Sequence, residues 1–261
     1  MDLSNLGAKL SYTTATYTGK YKKPSVTILD GEKKLLKDTD FTVSYKNHKN
    51  PGIATVTIEG IGSYSGTITK TFKIRPKEAE ITSVTNLSTG SKISWNEVYG
   101  ASGYYVYKKT GSEDFKKIKT ISDGSLSYTD TDAKTNGKKY SYKVIAYKTK
   151  NSTTIKAKDS NVFVSYYISR LSFTSLKAGS GKFTASWEKN AKTSGYQLQY
   201  SKSSSFSTKT TKTITDPDTL KKSVSSLKKD STYYVRIRAY KTVNGKKYYS
   251  AWTAKKSVVI K

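Results

Sequence analysis

A block that opens with Ser94-Trp95 and closes with Gly103-Tyr104 returns 92 residues later as Ser186-Trp187 and Gly195-Tyr196. The same offset relates Ile81 to Phe173, Val84 to Leu176 and Ile93 to Ala185. Further on the offset becomes 93. There Tyr140-Ser-Tyr142-Lys-Val144-Ile-Ala146-Tyr147 stands against Tyr233-Tyr-Val235-Arg-Ile237-Arg-Ala239-Tyr240. A fixed period means tandem copies of one fold. This period is too long for a solenoid unit and suits a small β-sandwich of roughly 100 residues.

Inside each copy the side chains alternate. Phe183, Ala185 and Trp187 are interleaved with Lys182, Thr184 and Ser186, and Tyr196, Leu198 and Tyr200 with Gln197 and Gln199. A period of two with one apolar face is the pattern of a half-buried strand. No segment carries a sustained apolar period of 3.6. The 22 tyrosines among 261 residues also fit strands better than helices. Asn244-Gly245 predicts a tight hairpin. The fold class expected is all-β: three tandem β-sandwich modules in an elongated arrangement, over residues 1–77, 78–168 and 169–261.

The two copies resemble fibronectin type III modules. The resemblance rests on Trp95 and Trp187, on Leu227 six residues ahead of Tyr233, and on the run Val235, Ile237 and Ala239. It implies structural roles for Trp95, Trp187, Tyr140 and Tyr233, the two tyrosines bonding back through their hydroxyls to the preceding loop. Tyr249-Ser-Ala-Trp252-Thr253 is similar to the Trp-Ser-x-Trp-Ser element of cytokine-receptor modules, in which an indole lies between arginines. That similarity implies a ladder of Arg236, Trp252 and Arg238 holding the last strand. In the first copy Lys143 and Ile145 take the arginine positions and Val162 the place of Trp252.

Residues 7–77 do not follow the repeat. Phe41, Val43 and Tyr45 alternate, as do Ala54, Val56 and Ile58, and Gly60, Gly62 and Gly66 mark bends. This stretch resembles a bacterial Ig-like module of secreted proteins from gut-type Gram-positive bacteria. Arg75-Pro76-Lys77 predicts a short, stiff first junction. The apolar Tyr166-Tyr167-Ile168 predicts a packed second one. At about 30–35 Å per sandwich, three end to end form a rod of about 100 Å.

Chemistry has few places to reside. The chain lacks Cys and has one His, His48, in a polar stretch that reads as an exposed turn. A nucleophilic triad could therefore be built only around His48, and the usual zinc sites are excluded. The acid pairs Glu113-Asp114, Asp130 with Asp132, and Asp216 with Asp218 sit in polar turn-like contexts. No catalytic residue, cofactor or metal site is expected. Asn86-Leu-Ser88 and Asn151-Ser-Thr153 match the glycosylation pattern, which carries little weight in a bacterial chain. For ligand contact the candidates are Tyr105, Tyr107 and Tyr147, read as alternating outward on neighbouring strands; the same arrangement would also serve sheet stability.

The formal net charge is +28. It divides into +7, +5 and +16 over residues 1–77, 78–168 and 169–261. Such an excess keeps a surface soluble and also attracts anionic polymers. No apolar run approaches the roughly 18 residues of a membrane span. The start Met1-Asp2-Leu3 lacks a signal peptide and the chain closes on a strand-like run, so an interior piece of a longer protein is expected. The reading is a non-catalytic extracellular spacer or adhesion stalk of a larger bacterial cell-surface protein, located on the surface or wall. The alternatives are a binding module for glycan or anionic wall polymer, and an accessory region of a secreted hydrolase. Partners expected are cell-wall polymer, glycan or a host surface protein. Nucleic acid and a membrane span are not expected, and the chain is expected to be a monomer.

Overall fold

Alternating side chains leave one apolar face per strand, and two such faces must close on each other. The computed structural model describes every residue from Met1 to Lys261. One short 3-10 turn at Leu3–Asn5 is capped by Asp2; all other regular structure is strand. The strands form three sandwiches in tandem, each around its own apolar cluster. The first cluster is built on Phe41, Val56, Phe72 and Ile74, the second on Trp95, Tyr104, Val106 and Val144, the third on Trp187, Tyr196, Leu198 and Ile237. The accessible surface is 13925 Å². A compact monomer of this mass would expose about 11,400 Å². The excess is that of beads set in line.

In the first sandwich Thr14–Thr16, Thr67–Arg75, Gly52–Gly60 and Phe41–Lys46 form one sheet, its first pairing parallel. The second and third sandwiches share one plan. A three-stranded sheet of Ser127–Asp130, Gly90–Trp95 and Ile81–Leu87 faces a sheet of Lys116–Ile121, Gly103–Thr110, Lys139–Lys150 and Thr153–Lys156. Phe163–Tyr166 also pairs with Lys139–Lys150. The third sandwich repeats this with Lys221–Val224, Lys182–Trp187 and Phe173–Gly179 against Thr210–Ile214, Gly195–Ser201, Thr232–Val243 and Lys246–Tyr249. Asn244 and Gly245 both take positive φ, 49° and 75°, and turn the Thr232–Val243 strand into the Lys246–Tyr249 strand.

The repeated Gly-Tyr step has a physical cause that appears only across strands. Gly103 pairs with Tyr147, and Gly195 with Tyr240. Each tyrosine ring lies over its glycine. A Cβ at Gly103 would stand 2.6 Å from the Tyr147 hydroxyl, and one at Gly195 2.7 Å from that of Tyr240. Each hydroxyl reaches on to the next strand, Tyr147 donating to the Ile121 carbonyl at 3.3 Å and Tyr240 to that of Ile214 at 3.4 Å.

The junctions are packed. Between the first two sandwiches Tyr17 and Tyr99 stack with ring centres 4.9 Å apart, and Pro51 lies against Gly100. Between the second and third, consecutive residues Tyr167 and Ile168 enter different cores. The Asn86 amide donates to the carbonyls of Tyr166 at 2.8 Å and of Tyr249 at 2.9 Å, one on either side. Asn136 donates to Asn190 Oδ1 at 2.9 Å and accepts from the Ser169 N–H, while Asn190 donates to the Ser169 carbonyl. Asn86 therefore holds the junction: it is 4% exposed, and its side chain is not the free acceptor that the glycosylation pattern suggested.

Candidate functional site

The tyrosine face of the second sandwich differs from expectation. Tyr147 lies on the outward face beside Tyr105, outside the core cluster, but it is not exposed there. It is buried, because its ring must cover Gly103. Tyr105 and Tyr107 are half-buried on the same strand. Tyr105 stacks on Tyr147 at 4.4 Å and carries the Lys117 and Lys156 ammonium groups 4.8 and 5.5 Å from its ring centre. Lys143 stands 5.3 Å from the centre of Tyr107. The aromatic surface is thus roofed by lysines.

Trp95 and Trp187 are buried, each against the tyrosine of its Gly-Tyr step, with ring centres 5.5 and 5.4 Å apart. The Tyr104 and Tyr196 hydroxyls accept from the Val98 and Asn190 N–H groups. The Tyr233 hydroxyl accepts from the Lys228 N–H at 3.4 Å, a bond back to the preceding loop. Tyr140 makes no such bond. It is buried, with the Lys108 ammonium 5.9 Å from its ring centre, and the backbone-binding tyrosine near it is Tyr167, which donates to the Leu87 carbonyl.

Arg236, Trp252 and Arg238 come together. Each guanidinium carbon lies over the indole, at 4.5 and 4.4 Å, and the stack continues to Phe206 at 4.1 Å from Arg236 and to Tyr249 at 3.7 Å from Arg238. Gln199 and Gln197 accept from the two arginines at 2.9 and 3.0 Å. Burial pulls both arginine pKa values down, yet guanidinium remains charged at any ordinary pH. Val162 is not the counterpart of Trp252. The Val144 N–H bonds to Ser160 Oγ as the Ile237 N–H bonds to Thr253 Oγ1, so Asp159 occupies the Trp252 position. There it pairs with Lys143 at 2.7 Å. One sandwich clasps this segment with an ion pair, the other with a cation–π stack. Trp252→Ala is expected to destabilise the third sandwich by about 2 kcal/mol, and Trp252→Phe by less. Urea unfolding followed by amide NMR signals of the Thr232–Val243 strand would measure both; equal stability of the alanine variant would rule the clasp out.

Titratable groups do not gather. His48 is half-buried rather than exposed, between the rings of Tyr21 at 4.8 Å and Tyr45 at 5.5 Å, and burial, then the Lys23 charge, lowers its pKa. Asp216 accepts from the Asp218 N–H and from Thr219, and Asp218 pairs with Lys189, so both serve a turn. Asp130 is no loop acid. It lies 2% exposed at the end of its strand, bonded to Lys108, to Tyr142 and to the Asp132 N–H. No cluster of three or more His, Asp or Glu side chains is present.

A concavity with a largely apolar lining lies between the second and third sandwiches, a cleft of about 480 Å³. Leu87 and Phe163 form one wall; Tyr248, Trp252, Lys246 and Lys247 form the other. The Lys246 ammonium stands 5.0 Å from the centre of Phe163 and 5.5 Å from that of Tyr248, bridging the walls. Tyr248 meets Tyr166 edge-on at 5.0 Å.

The chain is similar in outline to solved tandem-module structures. A crystal structure of chicken CNTN1 FN1-FN3 domains aligns over 97% of this chain and 97% of its own, with 14% identity and a TM-score of 0.39. A two fibronectin type-III domain segment from chicken tenascin covers 70% of this chain and 98% of its own, with 18% identity and a TM-score of 0.30. No protein-family model matches the chain, and no curated protein matches it.

The cleft was not legible in the sequence. Its walls come from three stretches far apart in the chain, around Leu87, Phe163 and Tyr248, and nothing in Phe163 or Tyr248 alone distinguishes them from other strand aromatics. The one available signal was the apolar junction Tyr166-Tyr167-Ile168, which predicts contact between modules and not a cavity beside it.

Proposed function

We propose that residues 1–77, 78–168 and 169–261 are three modules of a non-catalytic spacer or adhesion stalk in a larger bacterial cell-surface protein. The first would be the bacterial Ig-like module and the others fibronectin type III modules, the whole standing outside the cell on its surface or wall as a monomer. The observation that carries this reading is the pair of interlocked junctions, above all Asn86 bonding carbonyls on both sides of the second. A chain of sandwiches whose joints are bonded transmits position, which is what a spacer must do. No helix is long and apolar enough to cross a membrane. Small-angle scattering tests the proposal. A rod of about 100 Å has a radius of gyration of about 30 Å, against about 18 Å for a compact domain of this length. Asn86→Ala should broaden the distribution of interatomic distances; a compact particle, or an Asn86 variant as stiff as the parent, would count against the stalk.

A second reading, a module that holds glycan or an anionic wall polymer, is favoured by the cleft and by the basic third module. Service as the accessory region of a secreted hydrolase would use the same surface.

A further inference from the structure

We propose that the cleft between the second and third sandwiches binds an acidic oligosaccharide, its carboxylated pyranose units lying between Phe163 and Tyr248. The proposal deepens the glycan-binding reading and is independent of the stalk, whose scattering test can fail while this one succeeds. Three observations carry it. First, the cleft's cations have no carboxylate beside them, and although the Arg238 guanidinium is held in its stack, Lys246 and Lys247 are exposed. Arg238, Lys246 and Lys247 line it, no acidic side chain does, and the four ion pairs of the chain, Lys37 with Asp38, Lys108 with Asp130, Lys143 with Asp159 and Lys189 with Asp218, all lie elsewhere. An ammonium held between two aromatic rings keeps its charge, and with no carboxylate beside it that charge is open to a charge-assisted bond with an incoming anion.

Second, the aromatic rings stand on opposite walls, one from each sandwich, 5.0 and 5.5 Å from the shared ammonium. A pyranose has apolar C–H faces and a polar rim, so it suits a slot that offers ring faces together with donors. At about 480 Å³ the cleft holds a short oligosaccharide and not a globular partner. Third, the strand Lys246–Tyr249 is a poor template for an acidic peptide. It is four residues long, two of them lysine, and its Tyr249 carbonyl is already taken by the Asn86 amide. Strand addition needs a free edge.

Because the walls belong to two sandwiches, the bound sugar would also brace the joint that Asn86 fastens. Binding is therefore expected to slow amide exchange at both Phe163 and Tyr248.

The test is calorimetric titration of the full chain at low salt with three probes of equal length: tetragalacturonate, maltotetraose and tetraglutamate. Tetragalacturonate is expected to bind, the neutral sugar and the peptide at least tenfold more weakly. Lys246→Gln and Tyr248→Ser should each weaken tetragalacturonate at least fivefold. The double variant Lys221→Gln with Lys222→Gln, in the opposite sheet, should leave it unchanged. Lys246 is exposed, so its variant reads the site even if Tyr248→Ser disturbs the packing of Tyr166. Failure of tetragalacturonate to bind, equal binding of tetraglutamate, or equal losses in the Lys246 and Lys221/Lys222 variants would overturn the proposal. The last of these would mean attraction to the basic surface at large.

Discussion

Replacing Lys108 by methionine is expected to destabilise the second sandwich by about 3 kcal/mol at neutral pH, because it leaves a buried carboxylate without its cation. Lys108 Nζ lies 2.9 Å from Asp130 Oδ2, the two side chains being 16% and 3% exposed. The Tyr142 hydroxyl donates to the same oxygen at 3.0 Å. Burial, reinforced by the Asp130 charge, pushes the Tyr142 pKa far up, so this donor keeps its proton. One hydroxyl and one backbone N–H would then be all that faces the charge. The loss would be read as a drop of roughly 150-fold in amide-exchange protection at Val144 and Ala146, with Ile237 and Ala239 in the third sandwich unaffected.

The third sandwich shows what the repair looks like. By strand register, Lys108 corresponds to Tyr200, Asp130 to Val224, Tyr142 to Val235 and Ser91 to Phe183. Phe183 and Tyr200 meet edge-on at 5.8 Å where the second sandwich keeps its ion pair. The same fold thus fills one position with a charge network and with a hydrophobic cluster. Putting all four third-sandwich residues into the second is expected to recover the loss or exceed it, since a buried pair seldom outperforms well-packed apolar groups. A Lys108→Met cost below about 1 kcal/mol would show that water reaches Asp130 and that the pair is not truly buried.

Gly195→Ala is expected to cost the third sandwich about 2–3 kcal/mol, and Gly103→Ala, which meets the same clash without a positive φ, somewhat less in the second. The new methyl at Gly195 would meet the Tyr240 hydroxyl at 2.7 Å and its ring carbon at 2.9 Å, and would also press on the Ile214 carbonyl oxygen, which cannot swing aside. The backbone adds to this, since φ at Gly195 is 152°. Removing the ring as well, in a Gly195→Ala, Tyr240→Ala double variant, would relieve only the side-chain clash. Gly245→Ala is the control. Its φ is 75° but nothing stands within 4 Å of the added carbon, so only backbone strain of about 1 kcal/mol is expected. Urea midpoints of the three variants separate the two effects. Equal losses at Gly195 and Gly245 would mean that strain, and not the covering tyrosine, explains the repeated glycine.

Much of the architecture could be read from local pattern. Phe183, Ala185 and Trp187 alternate because one face of their strand is buried, and that requires no knowledge of the partner strand. The positions of Trp95 and Trp187 and the Asn244-Gly245 turn follow similarly from spacing and backbone preference. The errors came where a side chain's surroundings depend on register. Tyr147 alternates outward as its spacing predicts, yet a glycine opposite draws its ring down and Tyr105 covers it, so it is buried on that face. Val162 lies near the right place, but the offset of 93 that relates Val144 to Ile237 runs on unchanged to Ser160 and Thr253, so hydrogen bonding puts Asp159 at the Trp252 position, opposite Lys143. Asp130 and Asn86 look like loop residues because polarity in a sequence does not reveal whether a partner waits in the interior.

The chain by itself therefore determined that strands form, which of their faces turn inward and that one plan is used twice, because alternation and turn chemistry act over a few residues. Tertiary structure alone decided which cation meets which carboxylate, which ring covers which glycine and where two sandwiches leave a cleft. Those contacts join residues tens of positions apart, and their energies depend on distances that only strand pairing and the packed junctions set.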